Sequence, residues 1–195
     1  GFFLNSLGYY QPIGEHFDLK ILTDIYTKGS WNLRPEMNYK KNYRYSGSFS
    51  ADIGTTIRGI KGLSDYSKTG TYRIAWRHQQ DSKANPFLTF AASVDVVSNK
   101  FYNNTVNNNY AFNQNNLNAQ QNSSVSVVKR FLTLPITITG TSSYSQNFST
   151  GLADLKLPVL NVAVNQFYLF KPKTGIREGL LENITVNTGL NFNNY

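Results

Sequence analysis

The 195-residue chain has no cysteine, few charged residues and no long hydrophobic run. The absence of cysteine excludes a disulfide framework, a cysteine-ligated zinc site and a thiol nucleophile. Only two histidines accompany the absence of cysteine, so we expect no structural zinc site; no other metal and no cofactor is predicted. No stretch approaches about 18 consecutive apolar residues, so no membrane-spanning helix is predicted. Aromatic residues make up 14% of the chain, which excludes a charge-rich disordered tail, because such tails are poor in aromatics.

The charge that is present is mostly positive. The chain has 19 Lys and Arg against 11 Asp and Glu, which gives a net charge of +8. This excess favours an anionic partner: nucleic acid, lipid phosphates or an acidic polysaccharide. The first residues, Gly1–Leu4, have neither the basic n-region nor the cleavage site of a signal peptide. We therefore expect either a cytoplasmic protein or an interior piece of a longer one.

Apolar and polar residues alternate with a period of two through most of the chain. Phe17, Leu19 and Ile21, for example, are separated from one another by single charged residues. Such alternation predicts β-strands with one apolar and one polar face, and no helix is predicted. A Gly-bearing connection is expected at about residues 54–70 and a long, exposed, Asn-rich loop at residues 98–122. The nine predicted strands lie at about residues 17–25, 31–40, 43–53, 72–77, 88–96, 125–127, 136–141, 155–164 and 184–192.

Long strands and aromatic strand ends favour a membrane barrel over a soluble sheet. Many of the predicted strands reach about 9–11 residues, the length of a tilted strand that crosses a bilayer, whereas typical strands have about 5–6 residues. The polar faces combine Ser, Thr, Asn and Gly with Arg and Lys, as in a hydrated lumen. A soluble β-sandwich or solenoid is the alternative, because alternation alone does not show which face is buried. The aromatics near predicted strand ends are Tyr9, Tyr10, Tyr26, Trp31, Tyr43, Phe101, Tyr102, Phe167, Tyr168 and Phe170.

The strand count indicates part of a larger barrel. Bacterial barrels close with an even number of strands, and an open sheet would expose unpaired backbone groups to hydrocarbon. We therefore predict an all-β fold, an antiparallel transmembrane β-barrel segment. Residues 1–195 would belong to one barrel domain that other strands complete.

Two stretches are distinctive: Asp24–Trp31 (DIYTKGSW) and Trp76–Pro86 (WRHQQDSKANP). Together with residues 1–10, 39–47, 144–147 and 157–158, they resemble the LptD family of outer-membrane lipopolysaccharide-assembly proteins, in a divergent branch. The family's fold is a periplasmic β-jellyroll followed by a large barrel that the lipoprotein LptE plugs. The resemblance covers only the first part of the barrel; the jellyroll, the later strands and the paired cysteines of some members have no counterpart in the chain.

The resemblance implies an integral protein of the bacterial outer membrane that inserts lipopolysaccharide into the outer leaflet without covalent chemistry. The acyl chains would leave through a lateral gate between strands, and the sugars would pass through the lumen. The implied partners are lipopolysaccharide, outer-membrane lipid, an LptE-like plug lipoprotein and a periplasmic lipopolysaccharide-bridge protein. Neither catalytic residues nor a nucleic-acid partner are expected. The alternatives are another outer-membrane channel or binding barrel, or a soluble secreted β-sheet adhesin.

Basic residues on the polar side of the first strands form the candidate ligand-binding set. Lipid A phosphates and acidic core sugars are anions, which Arg and Lys bind through charge-assisted hydrogen bonds. The alternative is that these cations reach headgroups at the rim or pair with Asp18, Asp24, Glu36 and Asp52. The six candidates are Lys20, Arg34, Lys40, Arg44, Arg73 and Arg77.

Two prolines are candidate gate residues. Proline removes a donor from a strand ladder and so marks an edge, a bulge or a break. In LptD-like barrels, prolines of early strands are thought to weaken pairing at the lateral gate. Pro12 and Pro35 are the candidates here, with a plain bulge as the alternative. His78 and Asp81 are interpreted as parts of a structural turn at residues 81–86 rather than as a catalytic pair.

Overall fold

The computed structural model describes residues 1–104, 120–131, 133–148, 150–168, 170 and 183–192, which form a single antiparallel sheet. Each strand pairs with the strands that precede and follow it in sequence, in the order β1 to β10. One four-residue helix, α1, lies between β6 and β7. The elements are β1 (Phe3–Ile13), β2 (Phe17–Tyr26), β3 (Trp31–Lys41), β4 (Tyr45–Arg58), β5 (Ser67–Gln80), β6 (Leu88–Val97), α1 (Phe101–Asn104), β7 (Gln120–Arg130), β8 (Ile136–Asn147), β9 (Ala153–Tyr168) and β10 (Thr185–Phe192).

The sheet is open and has one layer, which confirms the predicted segment of a β-barrel. The strand order runs from β1 at one edge to β10 at the other. No second sheet covers the apolar positions in the described part of the chain, and Leu19, Phe49, Ile74 and Phe90 all remain at least partly exposed. The alternative of two sheets packed as a sandwich is therefore wrong.

The described residues form ten strands rather than the nine predicted, because the sequence of β1 lacks a clean alternation. The β1–β2 register shifts between Leu4 and Leu7, and Ser6 has a positive φ of 57°. An irregularity of this kind sends neighbouring side chains to the wrong face for a period-two pattern. The sequence signal for β1 is lost for that reason.

Two predicted connections are shorter than expected. β4 continues to Arg58 and β5 begins at Ser67, so the connection covers residues 59–66 instead of 54–70. The predicted loop at 98–122 contains α1 at its start and ends at Gln120, where β7 begins. Residues 105–119 of that loop lie outside the described residues. Among those that are described, no helix has the length and apolarity needed to span a membrane.

The strand register divides the sheet into an apolar face and a polar face. Directly opposed residues in an antiparallel pair point to the same side. Leu33, Ile53 and Tyr72 are opposed in successive strands and share the apolar face. A row across the polar face consists of Asp18, Asn38, Ser48, Arg77, Ser93 and Ser124.

None of the described residues forms a layer over the apolar face. Leu33 is 38% exposed and Ile53 is 39% exposed, although both lie in the middle of long strands. Exposing such a side chain to water forfeits about 1.5–3 kcal/mol relative to its burial. The only buried apolar side chains among the described residues are Ala51, Ala92, Val97 and Phe101. A surface this apolar and this continuous is suited to contact with lipid.

The two ends of the strands differ in their connections. The connections at residues 14–16, 42–44, 81–87 and 131–135 define what we name the short-turn end, and those at 27–30, 59–66, 98–119 and 148–152 define the long-connection end. The connection at 169–184 is an exception, because it is long and lies at the short-turn end. The predicted turn at residues 81–86 is confirmed: Asp81 Oδ1 accepts from Lys83 N at 2.8 Å, and Asn85 Oδ1 accepts from Phe87 N at 2.9 Å.

Candidate functional site

Four of the six predicted cations lie on the polar face, at least three residues from the ends of their strands. Lys20 is opposite Glu36, and Arg34 is opposite Leu22. Leu22 is two residues from Lys20 and therefore points to the same side of β2. Arg73 is opposite Asp52 and Arg77 is opposite Ser48. The alternation of the sequence thus places these four side chains on one side of the sheet, as predicted.

The other two cations lie at the short-turn end. Lys40 is the penultimate residue of β3 and is opposite Ser46. Arg44 precedes β4 and belongs to the connection at residues 42–44. Arg44 therefore does not line the polar face of a strand, because the turn extends further than the sequence pattern suggested.

Asp24 holds three strands together on the polar face. Its two carboxylate oxygens accept from Arg34 at 2.5 and 3.1 Å, and Oδ1 also accepts from the backbone N–H of Ser6 at 2.7 Å. The Asp24 side chain is 1% exposed and that of Arg34 is 12% exposed. This pair fixes the irregular part of β1 to β2 and β3. Removing one partner of such a buried, fork-shaped pair is costly, because the other charge is then left desolvated without its counter-charge.

Arg73 is held in a similar way by a carboxylate that the sequence analysis did not propose. Its Nε and Nη2 donate to the two oxygens of Asp95 at 3.0 and 2.6 Å. Asp95 is opposite Ala75 on the neighbouring strand, so the guanidinium crosses diagonally to reach it. The sequence shows only that Asp95 has the polar parity of β6, the strand that follows β5; the strand register decides that it reaches Arg73.

The third pair on this face is exposed. Lys20 Nζ lies 3.2 Å from Glu36 Oε2, and both side chains are more than two-fifths exposed. Exposed pairs of this kind contribute about 0–1 kcal/mol. The alternative, that the cations pair with neighbouring carboxylates, therefore holds for two of them. Lys20 pairs with Glu36 and Arg34 pairs with Asp24.

Arg77 differs from these three cations. Its guanidinium has no carboxylate within ion-pair distance in the described part of the chain. Ser48 and Ser93 flank it on the two neighbouring strands. Together with Arg34 and Arg73 it lines a cavity of about 200 Å³ on the polar face. Glu36 and Asp52 line the same cavity, so Arg77 is a cation without an ion-pair partner among the described residues in a cavity of mixed charge.

An aromatic cluster that the sequence analysis missed lies on the opposite, apolar face near the short-turn end. We define it as Tyr39, Tyr45, Trp76, His78 and Phe90. The centroid of the His78 ring lies between 5.3 and 6.0 Å from the ring centroids of the other four. The polar atoms within the cluster bond to one another: Trp76 Nε1 donates to the Tyr39 hydroxyl at 2.9 Å, and that hydroxyl is 2.9 Å from His78 Nδ1.

Gly47 makes this arrangement possible. It is opposite Tyr39 on one side and His78 on the other. A Cβ atom at Gly47 would overlap the Tyr39 ring and the carbonyl oxygen of Arg77. The ring of Tyr39 can cross β4 to reach β5 only because residue 47 has no side chain.

Phe101 occupies a different place from the one predicted. It was predicted to be one of the aromatics near strand ends that favour a membrane barrel, but its side chain is fully buried. Helix α1 packs against β5, and the hydroxyl of Thr56, which has polar parity on β4, donates to the carbonyl oxygen of Asn104. The start of the connection after β6 therefore folds back over the polar face at the long-connection end.

The two candidate gate prolines do not produce bulges. Pro12 is opposite Asp18 near the end of edge strand β1, and the β1–β2 register shift lies elsewhere. Pro35 is opposite Ile21 in a continuous register. On its other side the paired residues pass from Leu33–Ile53 to Glu36–Ser50 without a register shift. The bulge alternative is thus wrong, and Pro35 interrupts the pairing of β3 with β4 locally.

Long, two-faced strands in one open antiparallel sheet, with an apolar face and a charged polar face, define the described part of the chain as a segment of a β-barrel. The family model described as LptD protein matches residues 1–195, the whole chain, and the chain belongs to this family. The family comprises lipopolysaccharide transport proteins of the bacterial outer membrane, not enzymes. A search of curated proteins finds no match.

Proposed function

We propose that this chain forms part of the wall of an outer-membrane barrel that inserts lipopolysaccharide into the outer leaflet. The apolar face contacts membrane lipid, and the polar face lines a hydrated lumen through which the sugars pass. The acyl chains leave sideways between strands, so no covalent bond is made or broken. The observation that carries the proposal is the opposition of an apolar face that no described layer covers and a polar face on which Arg77 has no ion-pair partner among the described residues.

The cations of the polar face have different tasks in this proposal. Arg34 and Arg73 are neutralised by carboxylates and act mainly as positioning residues that hold the strands together. Lys20 contributes little, because its pair is exposed. Arg77 and Lys40, which have no carboxylate at ion-pair distance in the described ranges, bind the phosphates and acidic sugars of the headgroup.

A photocrosslinking scan in cells tests the role of the polar face. A photoreactive residue at Ser48 or Ser93, on either side of Arg77, is expected to crosslink to lipopolysaccharide. The matched controls are Phe49 and Val94, because a shift of one residue along a strand moves the side chain to the other face. Equal headgroup crosslinking from both faces, or none from the polar face, would contradict the proposal.

Replacement of Arg77 tests the residue itself. Arg77→Gln is expected to reduce crosslinking at Ser48 about tenfold, since a hydrogen bond to a charged group is worth about 1.5–3 kcal/mol. Arg77→Lys keeps the charge and is expected to restore most of the signal. Lys20→Gln, on the same face, is the control and should change little. Undiminished lipopolysaccharide export in Arg77→Gln would remove Arg77 from the path.

We extend the proposal to the rest of the family's machinery. Further strands complete the barrel domain to which residues 1–195 belong, an LptE-like lipoprotein plugs its lumen, and a periplasmic bridge protein delivers lipopolysaccharide. Pro12 and Pro35 weaken strand pairing near the lateral gate. Pro35→Val restores a backbone donor to β3 and is expected to raise stability while slowing export; unchanged export would assign Pro35 a purely structural role.

A further inference from the structure

The cavity of about 200 Å³ on the polar face has a floor of small residues and charged walls. Ser48 and Ser50 of β4 and Ala75 of β5 form the floor, because their short side chains leave the space above the strands open. The volume corresponds to roughly seven water molecules at liquid density, which is enough for a small polar headgroup. The charged residues of the walls are Arg34, Glu36, Asp52, Arg73 and Arg77.

The charges in the cavity walls and in their ion-pair partners balance. Arg34 and Arg73 are each neutralised by a carboxylate through two hydrogen bonds, and Glu36 forms an ion pair with Lys20. A balanced set has no net charge with which to attract a bare anion. It favours a ligand that carries both signs of charge. The four cations and four carboxylates of the set are Lys20, Arg34, Arg73, Arg77, Asp24, Glu36, Asp52 and Asp95.

Arg77 and Glu36 are the charged groups of the walls that a ligand reaches most readily. Arg77 takes part in none of the ion pairs of the described residues. The pair of Glu36 with Lys20 is more than two-fifths exposed on both sides, and a pair of this kind is easily exchanged for another. Asp52, the other carboxylate of the walls, is only 5% exposed. A ligand with both charges therefore has one cation and one carboxylate to contact.

The strand register sets the distance between these two groups. Glu36 is opposite Ser50, and Ser50 is opposite Ala75, which is two residues from Arg77. Two strand spacings and two residues along a strand place the Cα atoms of Glu36 and Arg77 about 12 Å apart. The carboxylate and the guanidinium form no ion pair with each other. A short ligand can thus lie between them, over the floor of small residues.

We propose that this cavity binds a phosphate ester that carries a primary amine, as an aminoethyl phosphate group of lipopolysaccharide. The phosphate accepts hydrogen bonds from Arg77 and from the hydroxyl of Ser48, which is opposite it on β4. The ammonium group replaces Lys20 at the carboxylate of Glu36. This proposal rests on the lumen path through Arg77 argued under Proposed function, and it adds the group that Glu36 recognises. A phosphate without the amine makes only the first of the two contacts.

Two lipopolysaccharides that differ only in the charge of the amine test the proposal. The full protein, with a photoreactive residue at Ser93 opposite Arg77, is reconstituted in vesicles with lipopolysaccharide that carries an aminoethyl phosphate, or with the same material after N-acetylation of that amine. We expect the form with the free amine to crosslink about fivefold more strongly, because a partly exposed ion pair contributes up to about 1 kcal/mol. Added salt should reduce the difference. Equal crosslinking of the two forms would overturn the proposal and leave Arg77 in the lumen path.

Substitution of Glu36 distinguishes a local contact from the general field of the polar face. Glu36→Gln is expected to abolish the preference, while crosslinking of the N-acetylated form does not fall. Asp18→Asn is the matched control, since Asp18 has the same polar parity but lies outside the cavity walls; an equal loss in both variants would overturn the site. Phosphatidylethanolamine in the vesicles supplies the same headgroup from a phospholipid, and suppression of the crosslink by it would overturn the assignment to lipopolysaccharide. If neither lipopolysaccharide crosslinks at Ser93, the proposed function itself fails.

Discussion

The carboxylate of Asp24 should be among the most important single groups for the stability of the first three strands. Asp24→Asn keeps the size of the side chain and one carbonyl acceptor but removes the charge that faces Arg34. The two contacts to the guanidinium are 2.5 and 3.1 Å long, and the contact to Ser6 N is 2.7 Å. The substitution leaves a nearly buried guanidinium without its counter-charge.

The expected magnitude follows from burial. Removing one partner of a buried pair costs about 3–5 kcal/mol, because the other charge stays desolvated. The amide oxygen of the substituted side chain can still accept one hydrogen bond, so we expect a loss of about 3 kcal/mol in the free energy of unfolding. Glu36→Gln breaks the exposed pair with Lys20 on the same two strands and should cost about 0–1 kcal/mol.

The assay is equilibrium unfolding in urea of the protein refolded in phospholipid vesicles, followed by tryptophan fluorescence. A double variant, Asp24→Asn with Arg34→Gln, removes both charges and should be no less stable than Asp24→Asn alone. The reasoning is refuted if Asp24→Asn costs no more than Glu36→Gln. It is also refuted if the losses of the two single variants simply add, since the pair would then carry no coupling.

Three further substitutions address the remaining contacts. Tyr39→Phe leaves the Trp76 indole N–H without its acceptor and should cost about 1–3 kcal/mol in the same unfolding assay; an unchanged midpoint would show that lipid or water replaces the bond. Gly47→Ala forces the Tyr39 ring off β4 and should lower the yield of heat-modifiable, folded barrel on gel electrophoresis, whereas Gly47→Ala in a Tyr39→Ala background should recover part of it. Asp95→Asn removes the counter-charge of Arg73 and should cost about 1–2 kcal/mol, since the pair is only partly shielded; no loss would show that the pair is fully screened by solvent.

The strands were predictable where a single face is apolar. Nine of the ten strands described follow from alternation, because within each of them every second side chain meets the same environment. β1 was not predicted, because its irregularity at Ser6 breaks the alternation. Its backbone contact to Asp24 comes from another strand. The burial of Phe101 was not predicted, because it depends on a backbone that folds back over the polar face. No local sequence pattern encodes that fold.

The sequence predicted which residues form the candidate site. It did not predict which of their charges are neutralised by a carboxylate. Alternation placed Arg34, Arg73 and Arg77 on one face, and the sheet confirms that placement. It could not distinguish a neutralised arginine from an available one. That difference depends on Asp24 and Asp95, which come near the guanidinium groups only through strand register.

The amino-acid sequence by itself determined the two-faced strands and the family of this protein, because a period of two and short motifs are local properties of the chain. Tertiary structure alone decided which cations are neutralised, how Tyr39 crosses Gly47 to reach His78, and how Glu36 and Arg77 come to line one cavity. These features depend on distances between strands far apart in sequence. Such distances are set by register and pairing, which only the folded sheet fixes.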